Sequence, residues 1–262
     1  MSRLEGIFAQ LRSRREAALV AFLVAGDPEP ATSQALLSAV ADGGADILEI
    51  GLPFSDPLAD GKTIQDGCQR ALTAGMTPAQ VLEQVKELRR GHEIGIVLFS
   101  CYNLILQYGL AAFASDAAAA GADGVLVTDL PPEEAADWLS VARAAGLETI
   151  FLVAPTTDDA RLAQIAAVSS GFLYAVSRMG VTGARTELPA DLPDFVGRIR
   201  AQGPLPLAVG FGISTPDQVR QVCSVADGAV VGSALVQVAQ QGPTALRDFV
   251  RSLKQATCSP DK

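Results

Sequence analysis

Short apolar segments alternate eight times along the chain with longer segments that are rich in Ala and Leu. The apolar segments lack a regular polar–apolar alternation, which is typical of parallel strands that are buried on both faces. Eight strand–helix units predict a (β/α)8 TIM barrel, with an open doubly wound sheet as the alternative. The strands are expected at Ala18–Val24, Asp46–Gly51, Gly95–Ser100, Gly124–Thr128, Glu148–Val153, Phe172–Val176, Leu207–Gly210 and Asp227–Val231.

Helices are expected between these strands, with an extra helix at Leu4–Arg12 and a short one at Ser233–Gln240 after the eighth strand. Residues able to cap a helix stand at the start of several segments, and they are Thr32, Thr77, Asp158 and Thr215. The other expected helices are Thr32–Asp42, Thr77–Arg89, Leu110–Ala120, Glu133–Ala145, Asp158–Val168, Pro216–Ser224 and Pro243–Lys254.

Length and charge limit the possible organisation and partners. The 262 residues fall within the range of a single barrel, and no linker interrupts the pattern, so we expect one domain over residues 1–262. The hydrophobic content of 49% is sufficient for a large aliphatic core. A net charge of −9 repels phosphate backbones and acidic lipid surfaces, which argues against nucleic-acid and membrane partners.

Cysteine spacing and the N-terminal segment indicate a cytoplasmic protein. The chain has four cysteines without metal-like spacing, which favours reduced thiols. Residues Arg12–Gly26 resemble a signal peptide, but Glu5 and Glu16 dilute the positive end and DPEP replaces a cleavage site. The apolar run is also too short to span a bilayer, so we interpret it as the first strand.

Two acidic residues stand out at the second strand. Glu49 lies inside the apolar strand Asp46–Gly51, where an unpaired charge would be costly to bury. Asp60 ends the Pro- and Gly-rich loop that follows. In a barrel, the loops after the strands carry the chemistry, and two acids in different surroundings can hold different protonation states. This pair therefore predicts acid–base catalysis, with a purely structural role for Glu49 as the alternative.

Glycine clusters follow the last three predicted strands, at the same mouth of the barrel. They lie in Ser177–Leu188, Gly210–Ser214 and Gly232–Ser233. Glycines allow backbone N–H groups to approach an anion, and a helix beginning at Ser233 would add its positive end. Together they predict a phosphate site, although each cluster alone would be explained by an ordinary turn.

The absence of certain residue types from the predicted strands limits the reactions that the chain can catalyse. None of the four lysines lies in a predicted strand, which argues against a Schiff-base mechanism. The sole histidine, His92, enters the third strand from the opposite face, so zinc catalysis is not expected. No Gly-rich dinucleotide fingerprint follows the first strand. The remaining equipment is two carboxyl groups and a phosphate site, which work without a cofactor or metal.

Motifs along nearly the whole barrel resemble those of the tryptophan synthase α subunit family. They are FLVAGDP from Phe22, LEIGLPFSDPLADG from Leu48, VTDLPPEEA from Val127, FLVAPTT from Phe151, SRMGVTGA from Ser177, GFGIS from Gly210 and VGSA from Val231. The resemblance implies a carbon–carbon lyase that cleaves indole-3-glycerol phosphate to indole and D-glyceraldehyde 3-phosphate. It assigns Glu49 as the general acid–base and Asp60 as the acceptor of a hydrogen bond from the indole N–H.

The same resemblance assigns the remaining site. Phe22 and Tyr174 would line the indole pocket, although ordinary core packing would explain both residues as well. Thr182 would help to orient Asp60. The phosphate would be held by Gly183, Gly212, Gly232 and Ser233.

The family docks on a β subunit that carries pyridoxal phosphate, in an αββα heterotetramer through which indole is channelled. The resemblance implies that Pro53–Asp60 and Ser177–Leu192 couple the subunits, with Asp56 forming an inter-subunit salt bridge. A stand-alone lyase and a non-catalytic allosteric subunit remain as alternatives.

Two positions depart from the family pattern. Lys62 replaces a proline, and is either solvated or a cation that favours ionised Asp60. SCYNL at Ser100–Leu104 replaces the usual tyrosine–asparagine–proline sequence, which leaves the contacts of the third loop open.

Overall fold

The computed structural model describes residues 1–57, 60–176, 191–210 and 212–258. Its eight parallel strands form a closed barrel in sequence order, and the first strand pairs with the eighth. The predicted (β/α)8 TIM barrel is confirmed, and closure excludes the open doubly wound sheet. The strands are β1 Ala18–Val24, β2 Ile47–Gly51, β3 Gly95–Ser100, β4 Gly124–Val127, β5 Glu148–Val153, β6 Leu173–Val176, β7 Leu207–Gly210 and β8 Gly228–Val231.

Twelve α-helices surround the barrel within the described residues. The predicted extra helices before β1 and after β8 are both present. The helices are α1 Arg3–Ser13, α2 Pro30–Asp42, α3 Lys62–Thr73, α4 Pro78–Gly91, α5 Tyr102–Tyr108, α6 Leu110–Ala120, α7 Ala136–Ala144, α8 Asp159–Val168, α9 Leu192–Arg200, α10 Pro216–Cys223, α11 Ser233–Ala239 and α12 Pro243–Gln255.

The sequence analysis did not predict α3, α5 or α9, and it placed one helix N-cap at the wrong residue. α3 follows Gly61, which gives no side-chain cap, and its apolar residues cover only one face. Thr32 is not an N-cap, because α2 begins at Pro30 and the Thr32 hydroxyl donates to Glu29 Oε1 at 2.8 Å. The other caps are confirmed, since each side chain accepts the backbone N–H three residues on: Thr77, Asp158 and Thr215.

A reciprocal contact joins neighbouring strands in four pairs at the N-terminal end of the barrel. A residue one to three positions before each even-numbered strand donates its N–H to the preceding strand, and its side chain accepts an N–H from the same strand residue. The side-chain bonds measure between 2.7 and 3.0 Å. These residues are Asp46, Asp123, Ser170 and Asp227. Two of them were predicted as strand residues, and this bonding explains why β2 and β8 begin one residue later.

Alternation along the strands decides which side chains enter the barrel. Val20, Ile47, Val97 and Phe172 pack together inside it with apolar residues of α1, which closes the N-terminal end. Successive strand side chains point to opposite faces, so the residues two positions further on also point inward, toward the carboxyl-terminal mouth. Those residues are Phe22, Glu49, Phe99 and Tyr174.

Candidate active site

Glu49 lies inside the barrel without a polar partner. Its side chain is 0% exposed, and neither carboxyl oxygen has a hydrogen-bond partner among the described residues. Its strand neighbours in register are Phe22 and Val97, both apolar. Burial raises the pKa of Glu49 to about 8 because the charged form is desolvated. Glu49 is therefore mostly protonated at neutral pH and able to donate a proton.

Asp60 lies at the mouth, in the wall of a cavity of about 260 Å³. The loop and α3 each hold its backbone through one bond: its N–H donates to Pro57 O at 3.1 Å, and Gln65 Nε2 of α3 donates to its carbonyl at 2.9 Å. Burial raises the pKa of Asp60 to about 6, less than that of Glu49. At pH 7 Asp60 is mostly ionised, so the two acids hold different protonation states.

Phe22 lies on β1 beside Glu49 of β2. Its ring lies edge-on to Phe99 with ring centroids 5.2 Å apart. A Cβ added to Gly51 would fall 2.7 Å from the Phe22 ring, so the ring occupies the space that a side chain would need. A Cβ on Gly232 would lie 3.5 Å from the same ring, which brings the loop after β8 next to it. Phe22 is thus a core residue that packs against Phe99, which lines the cavity.

Tyr174 approaches the same region from β6. A Cβ added to Gly210 would fall 2.4 Å from the Tyr174 hydroxyl, so the glycine at the end of β7 makes room for the phenol. Burial raises the pKa of Tyr174 well above its usual value, and the charges of Glu49 and Asp60 act in the same direction. The phenol therefore stays neutral beside the two acids.

The expected phosphate residues lie partly within the described chain. Gly212 follows β7 with φ of +88°, a conformation that favours glycine. Gly232 precedes α11, whose first residue is Ser233, and its carbonyl accepts the N–H of Leu235 and Val236. The N–H groups of a first helical turn lack partners within the helix, which suits an anion. Thr182 and Gly183 lie outside the described residues.

The expected coupling residues differ in exposure. Pro53 is buried, whereas Asp56 is exposed and forms no ion pair with any described residue. Most of Ser177–Leu192 lies outside the described residues. Lys62 is solvent-exposed and forms an ion pair with Asp66, while burial is the cause of the raised Asp60 pKa. The exposure of Lys62 and its pairing with Asp66 support the solvated interpretation.

The sequence reading missed several residues of the cavity wall. Phe54, Cys68 and Phe99 line it together with Asp60, and Phe99 could have been found by strand alternation from Val97. The open question of the third loop is answered by two lining residues, Ser100 and Cys101. No sequence signal identifies Cys68, since α3 was not predicted.

A third-loop contact fixes the start of α5. The Tyr102 N–H donates to Asp129 Oδ1 at 2.6 Å, and the Thr128 hydroxyl lies 3.7 Å from Cys101 Sγ.

The described residues include no cluster of three or more His, Cys, Asp or Glu side chains suited to a metal ion. None of their helices is long and apolar enough to cross a membrane.

The class of protein follows from these features. A closed (β/α)8 barrel has a buried protonated carboxyl group, an ionised carboxylate and glycine-rich turns at its carboxyl-terminal mouth. This is the arrangement of a barrel enzyme.

Comparison with known proteins identifies the family. The family model described as tryptophan synthase alpha chain matches residues 8–260. The tryptophan synthase alpha chain of Geobacter sulfurreducens is 48% identical over 98% of this chain and 99% of its own length. That of Roseiflexus castenholzii is 50% identical, over 97% of this chain and 100% of its own. The chain belongs to the tryptophan synthase alpha chain family.

Solved structures agree with the sequence comparison. A chain of Mycobacterium tuberculosis tryptophan synthase superposes with a TM-score of 0.94 at 39% identity, covering 98% of this chain and 99% of its own length. Tryptophan synthase subunit alpha of Legionella pneumophila gives a TM-score of 0.88 at 36% identity, covering 98% of both chains. The barrel and its extra helices are therefore those of the family.

Proposed function

We propose that this protein is a carbon–carbon lyase that cleaves indole-3-glycerol phosphate to indole and D-glyceraldehyde 3-phosphate without a cofactor. The observation that carries the proposal is Glu49, a fully buried and mostly protonated carboxyl group with no described partner. A protein does not bury such a group inside its barrel for stability, because an unpartnered polar group is costly. Its chemical use is to donate and accept protons.

Glu49 first acts as the acid. It transfers its proton to C3 of the indole, which places the positive charge on the ring nitrogen. The bond between C3 and the side chain then breaks, and its electron pair returns to the ring. The side-chain carbon released from C3 carries a hydroxyl group. The Glu49 carboxylate removes the proton of that hydroxyl, and the carbon becomes the aldehyde carbonyl. One proton leaves Glu49 and one returns, so the enzyme is regenerated.

Asp60 has the complementary role. Its ionised carboxylate accepts a hydrogen bond from the indole N–H and stabilises the positive charge that develops on the ring nitrogen. The lower pKa of Asp60, about 6 against about 8 for Glu49, supports this division of work. Because the protonated indole accepts the electron pair of the broken bond, the reaction needs no lysine adduct, metal or other cofactor.

The remaining site residues would bind the two ends of the substrate. Phe22 and Tyr174 are inward-facing and buried, which suits a flat apolar ring. The loops carrying Gly212, Gly232 and Ser233 would hold the phosphate through backbone N–H groups. Thr182 and Gly183 belong to the same proposal through the family resemblance alone.

We also propose that the mouth docks on a pyridoxal-phosphate-dependent β subunit in an αββα assembly, in the cytoplasm. Leu106 of α5 is 51% exposed. Among the described residues, Leu106 and Met1 are the large apolar side chains that are exposed. It follows β3, on the same side of the barrel as exposed Asp56 after β2. An apolar anchor and a carboxylate with no described ion-pair partner, both on this side of the barrel, suit a partner surface that carries a cation.

The deciding experiment measures cleavage of indole-3-glycerol phosphate by the purified chain, with and without the β subunit from the same organism. We expect slow release of indole by the chain alone and a large increase with the partner. Rapid turnover that does not respond to the partner would favour a stand-alone lyase. No cleavage by either sample would favour the non-catalytic allosteric subunit.

A matched pair of variants tests the docking surface. Leu106→Glu places a charge on the proposed interface and should weaken β-subunit binding, measured by calorimetry, without changing cleavage by the chain alone. Ala119→Glu, on α6, serves as the control outside the proposed interface. Equal binding by both variants would place the interface elsewhere.

A further inference from the structure

An ion pair between buried Asp27 and half-buried Arg70 connects the loop after β1 with α3. Asp27 accepts two hydrogen bonds from Arg70, with Nε to Oδ1 at 2.7 Å and Nη2 to Oδ2 at 2.9 Å. The Asp27 side chain is only 4% exposed. A Cβ added to Gly67 would lie 2.9 Å from Asp27 Oδ2, so the carboxylate lies directly on α3. Bidentate pairing fixes the orientation of both groups as well as their distance.

The same carboxylate also reaches the end of α11. Gln240 Nε2 donates to Asp27 Oδ2 at 3.2 Å. A second bond joins the two helices directly, because Gln237 Nε2 donates to Thr63 Oγ1 in the first turn of α3 at 3.3 Å. Asp27 and Arg70 are therefore the centre of a junction between the β1 loop, α3 and α11.

The two helices in this junction begin at the two ends of the candidate site. α3 starts two residues after Asp60, and its residue Cys68 lines the same cavity as Asp60. α11 starts at Ser233, next to Gly232 and the proposed phosphate site. The spacing between these helices therefore sets the spacing between the indole end and the phosphate end.

We propose that Arg70 and Asp27 are positioning residues that hold the indole-binding carboxylate and the phosphate-binding turn at the separation that one substrate molecule requires. The inference rests on the proposed function. A ligand that binds both the carboxylate and the phosphate-binding turn needs them at the correct separation. A ligand that binds only one of them does not. The junction thus governs the binding of linked ligands and the rate of cleavage, rather than the affinity for either half.

The experiment uses Arg70→Lys in the full chain, since lysine keeps the charge but loses the bidentate fork. Calorimetry measures three ligands: indole, inorganic phosphate, and an indole joined to phosphate by a saturated three-carbon chain that cannot be cleaved. We expect the linked ligand to bind about tenfold more weakly and the two halves to bind within about twofold of the wild type. The kcat for cleavage should fall on the order of tenfold as well.

Arg89→Lys is the matched control. Arg89 pairs with buried Asp123 at 2.8 Å, and Asp123 lies at the opposite, N-terminal end of the barrel. This variant should lower the melting temperature without changing the relative affinities of linked and single ligands. Asp27→Asn, which keeps the shape of the side chain, provides a second test and should reproduce the effect of Arg70→Lys.

The outcomes are distinct. Unchanged binding of the linked ligand in both variants would overturn the proposal, and so would an equal loss for all three ligands. A wild-type protein that fails to bind the linked ligand or to cleave indole-3-glycerol phosphate would instead overturn the proposed function, before any variant is compared.

Discussion

The two ends of the barrel surround their carboxyl groups in opposite ways. At the N-terminal end, Asp46, Asp123 and Asp227 each accept a strand N–H and each pair with a cation. The cations are Lys254 at 2.8 Å from Asp46, Arg89 at 2.8 Å from Asp123 and Arg200 at 3.3 Å from Asp227. At the mouth, Glu49 has neither kind of partner among the described residues.

Partners decide whether a buried acid supports the fold or is available for chemistry. Asp123 is held by Arg3 and Arg89, so its charge is compensated where it lies. Burial raises the pKa of Asp46, but Lys254 and the Leu19 N–H act against that rise. No described residue acts against burial at Glu49, whose pKa rises to about 8. The residue type is similar at both ends, and the surroundings separate the roles.

The largest effect is expected from Glu49→Gln. The amide cannot exchange a proton with the substrate, so we expect cleavage to fall on the order of 10²–10⁴-fold, the range of general acid–base catalysis. Steady-state cleavage measures this, and calorimetry with the uncleavable linked ligand should give a dissociation constant near that of the wild type. Retained cleavage would contradict the assignment of Glu49.

At the other end, Asp123→Ala should affect stability instead. It removes the partner of two arginines and of the Ile96 N–H, so the free energy of unfolding should fall by about 3–5 kcal/mol. Urea denaturation measures the loss, and kcat at a temperature where the variant is folded should match the wild type. A loss of cleavage in the folded variant would remove the distinction between the two ends.

Asp60→Asn keeps the size of the side chain but removes its charge. Stabilisation of the positive indole nitrogen would be lost, so we expect kcat/KM to fall on the order of 10²–10³-fold, as for other electrostatic groups. The comparison is with Asp56→Asn, which should not change cleavage by the chain alone. Similar losses of kcat/KM in both variants would mean that the total negative charge at the mouth stabilises the reaction, rather than Asp60 itself.

The smallest effect concerns pH and stability. Folded Glu49 keeps its proton up to a pKa of about 8, while the unfolded chain releases it near 4.5. The unfolded state therefore binds fewer protons between these values, and this group makes the free energy of unfolding decrease as pH rises. Glu49→Gln removes that term, so its stability relative to wild type should increase with pH, by up to about 3 kcal/mol at pH 7.

Urea denaturation of the wild type and Glu49→Gln from pH 5 to pH 8 gives this difference directly. Asp123→Asn is a suitable reference, because that carboxylate is compensated by two arginines. A difference between wild type and Glu49→Gln that does not change with pH would show that Glu49 ionises normally in the folded protein.

Local patterns predicted much of this fold because the burial of each strand is visible in the apolar residues of that strand itself. All eight strands lie within one residue of their predicted ends, since runs buried on both faces leave a continuous apolar signal. The helix α3 was missed because its polar composition and uncapped start leave little local signal. Asp46 and Asp227 were placed in strands, since the sequence does not show that their side chains bond the preceding strand.

By itself, the sequence determined the barrel, its two extra helices and the family, because apolar periodicity and dense motifs are local properties of the chain. It also singled out Glu49 and Asp60, since an acid within an apolar strand is visible without coordinates. Only the tertiary structure decided which buried acids have partners. Asp123 meets Arg3 across 120 positions of sequence, and Asp27 meets Arg70 across 43. Pairing between distant residues depends on how the strands close, and within the part of the chain that the structure describes it leaves Glu49 without a partner.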